Sequence, residues 1–138
     1  MDINKIFNLF DTPDESKKQV IKDISEHPAF WLGMFRKLIT NHSNFNIAHL
    51  NVFKTALPDL NVNDIKNAGE FIIYTRSYDF LKRLDIEREL DLETIKSNST
   101  LELNIALKLA ISYFESTEEY EKCLFIKKIL TIVEENLS

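Results

Sequence analysis

Glycine and proline are scarce in this sequence, with two glycines and three prolines among 138 residues. Sandwiches and barrels of β-strands need many tight turns, which depend on glycine and proline for their backbone angles. Their scarcity argues against an all-β fold and favours helices. With Gly33 and Gly69 as its two glycines, the chain cannot form a glycine-rich loop around a phosphate, which disfavours nucleotide hydrolysis.

Cysteine and long apolar runs are also lacking. Cys123 is the single cysteine, so a disulfide within the chain is impossible and secretion gains no support. No run approaches the roughly 18 apolar residues of a membrane-spanning helix, and the first ten residues lack the apolar core of a signal peptide. We therefore expect a soluble cytoplasmic protein with no membrane partner. Abundant Asn, Lys and Ile indicate an AT-rich genome, such as that of a low-GC bacterium or its phage. If a phage encodes the protein, we expect it in the cytoplasm of the host cell.

The composition is that of an ordinary globular domain, with 44% hydrophobic and 28% charged residues. A chain of this length can bury a sufficient core without disulfides or metals. Apolar residues recur at spacings of three and four along most of the chain, which indicates helices. The sequence therefore predicts an all-α fold, a single compact bundle of about six to seven helices over residues 1–138. It ends in a helical hairpin over residues 99–137.

Apolar spacing and helix-breaking residues give approximate helix boundaries. We predict a loop at residues 41–46 because of its polar residues. At residues 71–74, Phe-Ile-Ile-Tyr could also form a strand; we favour helix there, and residues 69–76 remain the weak point of the prediction. The predicted helices cover residues 3–10, 13–26, 28–41, 47–57 and 64–84, a short helix within 85–98, and the two helices of the hairpin.

Three capping boxes predict where helices begin, because a Ser or Thr is followed three residues later by Glu. The segment 28–39 is apolar on more than one face and is predicted to be the centre of the core. The same breadth of apolar surface would also suit a homo-oligomer. The capping boxes are Thr12–Glu15, Ser99–Glu102 and Ser116–Glu119.

No group of residues has the spacing of a catalytic or metal-binding motif. His42 and His49 are the closest histidines in sequence, but they are seven residues apart across a predicted loop into a helix, a spacing that matches no standard metal motif with ligands at i and i+3 or i+4. Cys123 has apolar neighbours and is predicted to be buried and unreactive. We predict no catalytic residue, no metal and no cofactor, and hence not an enzyme.

Acidic residues dominate the C-terminal half of the chain. Residues 1–69 hold eight acids and eight bases, whereas residues 70–138 hold fourteen acids and nine bases. Glu118, Glu119 and Glu121 cluster at the bend of the predicted hairpin, where they would either be solvated and stabilise the next helix or bind a partner. A partner with a basic surface suits such a cluster.

A basic and aromatic segment precedes the hairpin. Arg76, Lys82 and Arg83 are interleaved with aromatic residues, a pattern that could contact phosphates and stack on bases. Nearby acids can neutralise this charge, and the aromatics can equally face the core, so nucleic acid is possible but not favoured as a partner. The aromatic residues are Tyr74, Tyr78 and Phe80.

The hairpin over about residues 101–135 resembles the UVR motif of excision-repair proteins and related bacterial regulators. Tyr120 followed by Glu121 corresponds to the aromatic–Glu pair that opens the second helix, and Cys123 to a small residue between the helices. Leu124 and the pair Lys127–Lys128 depart from the pattern. The resemblance implies a hairpin that docks onto another protein, with no enzyme activity.

These observations favour a non-enzymatic helical adaptor or regulator that binds another protein, with a phage as one candidate source. Aromatics that look exposed in the sequence, such as Phe45, Phe53 and Tyr113, support this prediction. Two alternatives stay open: an accessory factor that contacts nucleic acid in replication, repair or transcription, and a structural homo-oligomer. The partner-binding candidates are Glu118, Glu119, Glu121, Arg76, Lys82 and Arg83.

Overall fold

The computed structural model describes residues 15–59 and 61–137, with backbone alone for residues 44–50 and 53. This part of the chain contains helices and their connections and no strand, which confirms the predicted all-α fold. The predicted helix over residues 3–10 and the cap at Thr12 lie outside the described residues. The six described helices are α1 (Glu15–Ser25), α2 (Pro28–Ala56), α3 (Val62–Leu81), α4 (Glu89–Ser97), α5 (Leu101–Ser116) and α6 (Tyr120–Glu135).

The long helix α2 corrects the predicted loop at residues 41–46. It runs for 29 residues without a break, which corresponds to a length of about 44 Å. Residues 41–46 include neither glycine nor proline, so each lowers helix propensity by only about 0.7 kcal/mol or less. Packing against α3, the most extensive contact in the bundle, outweighs that cost.

The first half of α2 lies at the centre of the core, as predicted. Trp31, Leu32, Phe35 and Ile39 are buried among the apolar faces of α5 and α6 and the end of α3. The indole N–H of Trp31 also donates to the carbonyl of Ser25 at 2.7 Å, which fixes the end of α1 against α2. The apolar side chains of residues 28–39 are thus largely used within the chain.

Helix α3 resolves the ambiguity at residues 69–76, which are entirely helical. It packs along α2, and its Gly69 lies opposite His42, where a Cβ atom would be 3.3 Å from the His42 Cε1 atom. The predicted apolar stripe of α3 faces solvent at Ile65 and Ile72. The side chains that α3 buries completely are Ser77 and Leu81.

A buried carboxylate holds the connection between α3 and α4. Asp91 has no exposed surface, and its Oδ2 atom accepts a hydrogen bond from the backbone N–H of Asp85 at 2.8 Å. Arg88 Nη1 approaches the same oxygen at 3.6 Å. Among the described residues, Oδ1 of Asp91 has no hydrogen-bond partner. Asp91 therefore holds the turn before α4 together with Asp85, whose Oδ1 atom accepts from the N–H of Glu87 at 3.0 Å.

The hairpin of α5 and α6 forms as predicted, although the N-cap of α5 lies one residue later than predicted, at Thr100 and not at Ser99. Thr100 is the N-cap and accepts from the N–H of Leu103 at 3.2 Å, whereas the Ser99 hydroxyl is buried and donates to the carbonyl of Ile95. Small residues on the inner faces, Ala106 and Ala110, are fully buried. Across the described ranges, no helix combines the length and the apolar character that crossing a bilayer requires.

Replacement of Gly33 by alanine is expected to stabilise the protein by about 0.5–1 kcal/mol, because alanine loses less entropy than glycine within a helix. A Cβ at Gly33 would meet no atom within 4 Å. Gly69→Ala is the matched control, since its Cβ would press on His42, and we expect a smaller gain. Urea denaturation of both variants measures the difference, and equal gains would contradict the contact at Gly69.

Replacement of Asp91 by alanine is expected to lower the free energy of unfolding by about 1–3 kcal/mol, because the Asp85 N–H loses its acceptor. Glu93→Ala on the exposed side of α4 is the control and should change stability by no more than about 0.5 kcal/mol. Chemical denaturation followed by circular dichroism compares the two. Equal effects would show that the Asp91 carboxylate does not hold this turn.

Candidate functional site

A tight turn at the end of α5 reverses the chain into α6. The N–H of Glu119 donates to the carbonyl of Phe114 at 2.8 Å, and the N–H of Glu118 donates to the carbonyl of Glu115 at 3.1 Å. This pair of bonds is a Schellman motif, in which the residue after the C-cap adopts the left-handed conformation. Glu118 is that residue, with φ of 62°, and no other non-glycine residue in the described ranges has a positive φ.

The predicted capping box of Ser116 and Glu119 does not form. The Ser116 hydroxyl donates to the carbonyl of Tyr113 within α5, and α6 begins at Tyr120 with Glu119 at its N-cap position. The Glu119 side chain makes no capping hydrogen bond to α6. Because the Schellman turn extends α5 to Ser116 and occupies the next three residues, α6 starts later than the sequence pattern indicates.

Glu119 is held by two neighbours. Its Oε2 atom accepts a hydrogen bond from the Thr117 hydroxyl at 2.6 Å, and its Oε1 atom lies 2.9 Å from Lys122 Nζ. The Thr117 hydrogen bond first, and the bond and charge of Lys122 next, lower the pKa of Glu119 below its ordinary value. The carboxylate is therefore ionised and fixed in place at neutral pH.

The three acidic residues predicted as partner-binding candidates lie together in the structure. Glu118 and Glu121 are exposed, and Glu119 is half-buried between them. With Tyr120 and Lys122 they line a shallow surface depression of about 400 Å³. We call Glu118, Glu119 and Glu121 the acidic turn.

A cluster of aromatic rings lies behind the acidic turn. Tyr74 of α3 stacks on Tyr113 of α5, with ring centroids 4.4 Å apart and 10° between the planes. Tyr78 makes edge contacts with Phe114 and with Phe125 of α6. The stacking corrects the prediction that Tyr113 is exposed; the side chains of Phe45 and Phe53, named with it, lie outside the described residues. We call Tyr74, Tyr78, Tyr113, Phe114 and Phe125 the aromatic cluster.

Lys122 connects the acidic turn to the aromatic cluster. Its ammonium group lies 5.0 Å from the centroid of the Tyr78 ring and 4.9 Å from that of Phe114, a distance at which a cation is attracted to a ring face. The pKa of Tyr78 is raised by burial first and by the charges of Glu119 and Glu121 next. Tyr78 therefore stays neutral at physiological pH.

The basic candidates Arg76, Lys82 and Arg83 lie on or just after α3. Lys82 Nζ pairs with Asp79 Oδ1 at 3.0 Å, and the Arg83 guanidinium lies over the Phe80 ring at 5.2 Å. The aromatics that the nucleic-acid hypothesis needs for base stacking are engaged elsewhere: Tyr74 and Tyr78 belong to the aromatic cluster, and Phe80 contacts Phe30 edge-on.

The residues with potential for nucleophilic or metal chemistry are dispersed. Cys123 is buried, and its thiol donates to the carbonyl of Ile111 at 3.6 Å. Burial first, and the negative charge of Glu115 next, raise the pKa of Cys123, so the thiol is protonated at neutral pH. In the part of the chain that the structure describes, no three His, Cys, Asp or Glu residues converge on a point where they could hold a metal ion.

Sequence reasoning located the acidic turn and missed the backbone conformation of Glu118 and the exposure of two residues of α6. The strained backbone of Glu118 has no sequence signal, because the Schellman position is ordinarily marked by glycine. Tyr120 and Leu124 are an aromatic and an aliphatic residue of α6, and the structure leaves them 60% and 62% exposed. Their spacing of four residues places them on one face.

Comparison of the sequence with protein families, with curated proteins and with solved structures finds no match. The resemblance of the hairpin to the UVR motif stays a prediction. A functional proposal for this chain has to be built from its own geometry, chiefly that of the acidic turn.

Replacement of Glu119 by glutamine is expected to destabilise the protein at pH 7 and to matter less in acid. The lowered pKa of Glu119 in the folded state means that the charge adds stability above the ordinary glutamate value of 4.5, and that this stability is lost as the pH falls through the folded-state pKa. Denaturation of both proteins at pH 7 and pH 3 measures the effect. A difference between wild type and Glu119→Gln that stays constant between the two pH values would contradict the assignment.

Proposed function

We propose that this protein is a non-enzymatic adaptor or regulator that binds another protein, and that the acidic turn is the binding surface. The partner presents a basic segment to it. The single observation that carries the proposal is the conformation of Glu118, an exposed glutamate held in the left-handed region.

A glutamate at this position is costly for the fold. The left-handed conformation disfavours a residue with a Cβ by about 1 kcal/mol relative to glycine, which is the common residue at this place in a Schellman motif. Residues held in strained conformations concentrate at binding and catalytic sites. The hydrogen bond that Glu118 contributes to the turn comes from its backbone N–H, and the second Schellman bond comes from the N–H of Glu119, so the Glu118 carboxylate is not needed to close the turn. A role in binding accounts for the side chain.

The charges around Glu118 suit a basic partner. Glu121 is exposed and has no ion-pair partner among the described residues. Glu119 keeps its charge because of its lowered pKa. Three carboxylates within four positions of one turn create a negative potential that attracts Lys and Arg side chains and accelerates encounter.

The surroundings of the acidic turn are rigid, which favours binding. Phe114, which accepts the Schellman hydrogen bond through its carbonyl, has a fully buried side chain. Lys122 and the aromatic cluster support the turn from behind. A surface that is already ordered loses little conformational entropy when a partner docks. The UVR resemblance, which implies a docking hairpin, supports the same proposal.

Substitution of Glu118 separates binding from folding. Glu118→Gly removes both the carboxylate and the strain, and it is expected to stabilise the protein by about 1 kcal/mol while weakening capture of the partner. Glu118→Gln removes the charge and keeps the strain, so it should weaken capture with little effect on stability. Chemical denaturation and affinity chromatography of source-cell extract measure the two properties.

The chromatography includes Glu93→Gln as a control, because it removes the same charge from α4. We expect wild type and this control to retain one stoichiometric protein, in a salt-sensitive and nuclease-insensitive manner. Retention of no such protein, or equal retention by Glu118→Gln, would overturn the proposal. Loss of the retained protein after nuclease treatment would instead favour the nucleic-acid alternative.

A further inference from the structure

The outer face of α6 carries an apolar patch that the rest of the described chain leaves uncovered. Tyr120 and Leu124 lie one turn apart on this face and are 60% and 62% exposed. Lys127 and Lys128 follow them, also exposed, one turn further along. The opposite face of α6 is buried against α5 and the core through Cys123, Ile126, Ile129 and Val133.

Two charges beside this patch lack ion-pair partners. Glu121 and Lys128 are exposed, and neither forms a salt bridge with another residue in the described ranges. They are seven residues apart, or nearly two helical turns, which separates them by about 10 Å along the helix axis. That separation along the axis is too great for them to pair within one chain. Around the helix, however, both lie on the same flank of the face that Leu124 occupies.

An antiparallel copy of α6 would supply the missing partners. Suppose that a two-fold axis passes beside Leu124, between two such helices. Glu121 precedes Leu124 by three residues and Lys128 follows it by four, so Glu121 of each copy lies at the height of Lys128 of the other and on the same flank. On the opposite flank, Tyr120 lies beside Lys127 of the second copy, whose ammonium pairs with Glu115 of its own chain at 3.4 Å.

We propose that the outer face of α6 binds a second copy of this chain, with the two helices antiparallel and Leu124 on the two-fold axis. The contact is isologous, because the same residues contribute from both sides. It contains two Glu121–Lys128 ion pairs on one flank, a central pair of leucines, and the two Tyr120 rings on the other flank.

The size of this contact sets its strength. One exposed helical face on each copy buries less than the roughly 1,200 Å² typical of stable complexes, so the dimer is weak and forms at high protein concentration. Its ion pairs lie at an exposed rim, where salt screens them. Self-association is therefore expected to rise with concentration and to fall with added salt.

Self-association and the proposed binding of a basic partner share Glu121 and otherwise depend on different residues. Glu118 lies before α6 and is not part of its outer face, so Glu118→Gln should leave the dimer intact. Lys128→Glu should weaken the dimer and leave capture of a partner by Glu118 and Glu119 in place. The failure of one proposal would thus not be mistaken for failure of the other.

A charge-swap experiment tests the two-fold arrangement by sedimentation equilibrium over a range of protein concentrations. Glu121→Lys alone places two lysines opposite each other, and Lys128→Glu alone places two glutamates opposite each other, so each variant should associate more weakly than wild type. A mixture of the two variants should associate more strongly than either, since both pairs are then complementary. The double variant should likewise recover association by itself.

The matched controls are Glu93→Lys and Lys96→Glu on the exposed side of α4. Each control variant, and a mixture of the two, should self-associate as strongly as the wild type. Leu124→Asp should abolish association, and circular dichroism confirms that each variant is folded. A wild-type protein that stays monomeric up to its solubility limit would overturn the proposal. So would a mixture of Glu121→Lys and Lys128→Glu that associates no more than its components.

Discussion

Burial of one face of α2 is the constraint on which the rest of the structure depends. Phe35 and Ile39 lose essentially all solvent exposure there, and each buried side chain of this size contributes about 1.5–3 kcal/mol. Helices α3, α4 and α5 all pack on α2. The hairpin of α5 and α6 is thereby fixed at one side of the bundle, with its turn directed outward.

The turn of that hairpin combines a local cost with local support. Glu118 adopts an unfavourable backbone conformation, while the two Schellman hydrogen bonds and the ion pair of Glu119 with Lys122 hold the chain in place. Lys122 in turn is attracted to the rings of Tyr78 and Phe114. An acidic surface patch is therefore anchored to the core through one lysine, which explains how an exposed turn can remain ordered.

Helix α6 has two faces with different roles. Its inner face, represented by Cys123 and Ile126, is buried and completes the core. Its outer face combines the exposed Leu124 with charges that have no complement nearby in the described chain. Burial of an apolar face stabilises a helix whatever lies on the other side, so the outer face is free to carry residues that suit a partner.

Much of this protein was determined by its sequence alone. The scarcity of glycine and proline, with apolar spacings of three and four, predicted the all-α fold and the central position of residues 28–39. The distribution of acidic residues predicted the acidic turn. Tertiary packing decided that residues 71–74 are helical and that α2 continues through residues 41–46, because contact between α2 and α3 outweighs weak local preferences.

The conformation of Glu118 and the exposure of Leu124 belong to the tertiary structure as well. The first depends on where α5 ends, which the predicted cap at Ser116 placed incorrectly. The second depends on which face of α6 packs against the core. The sequence alone does not determine whether an apolar residue of a helix faces the core or the solvent. Local residue chemistry thus determined the class of fold, whereas packing between helices decided which side chains remain available for binding.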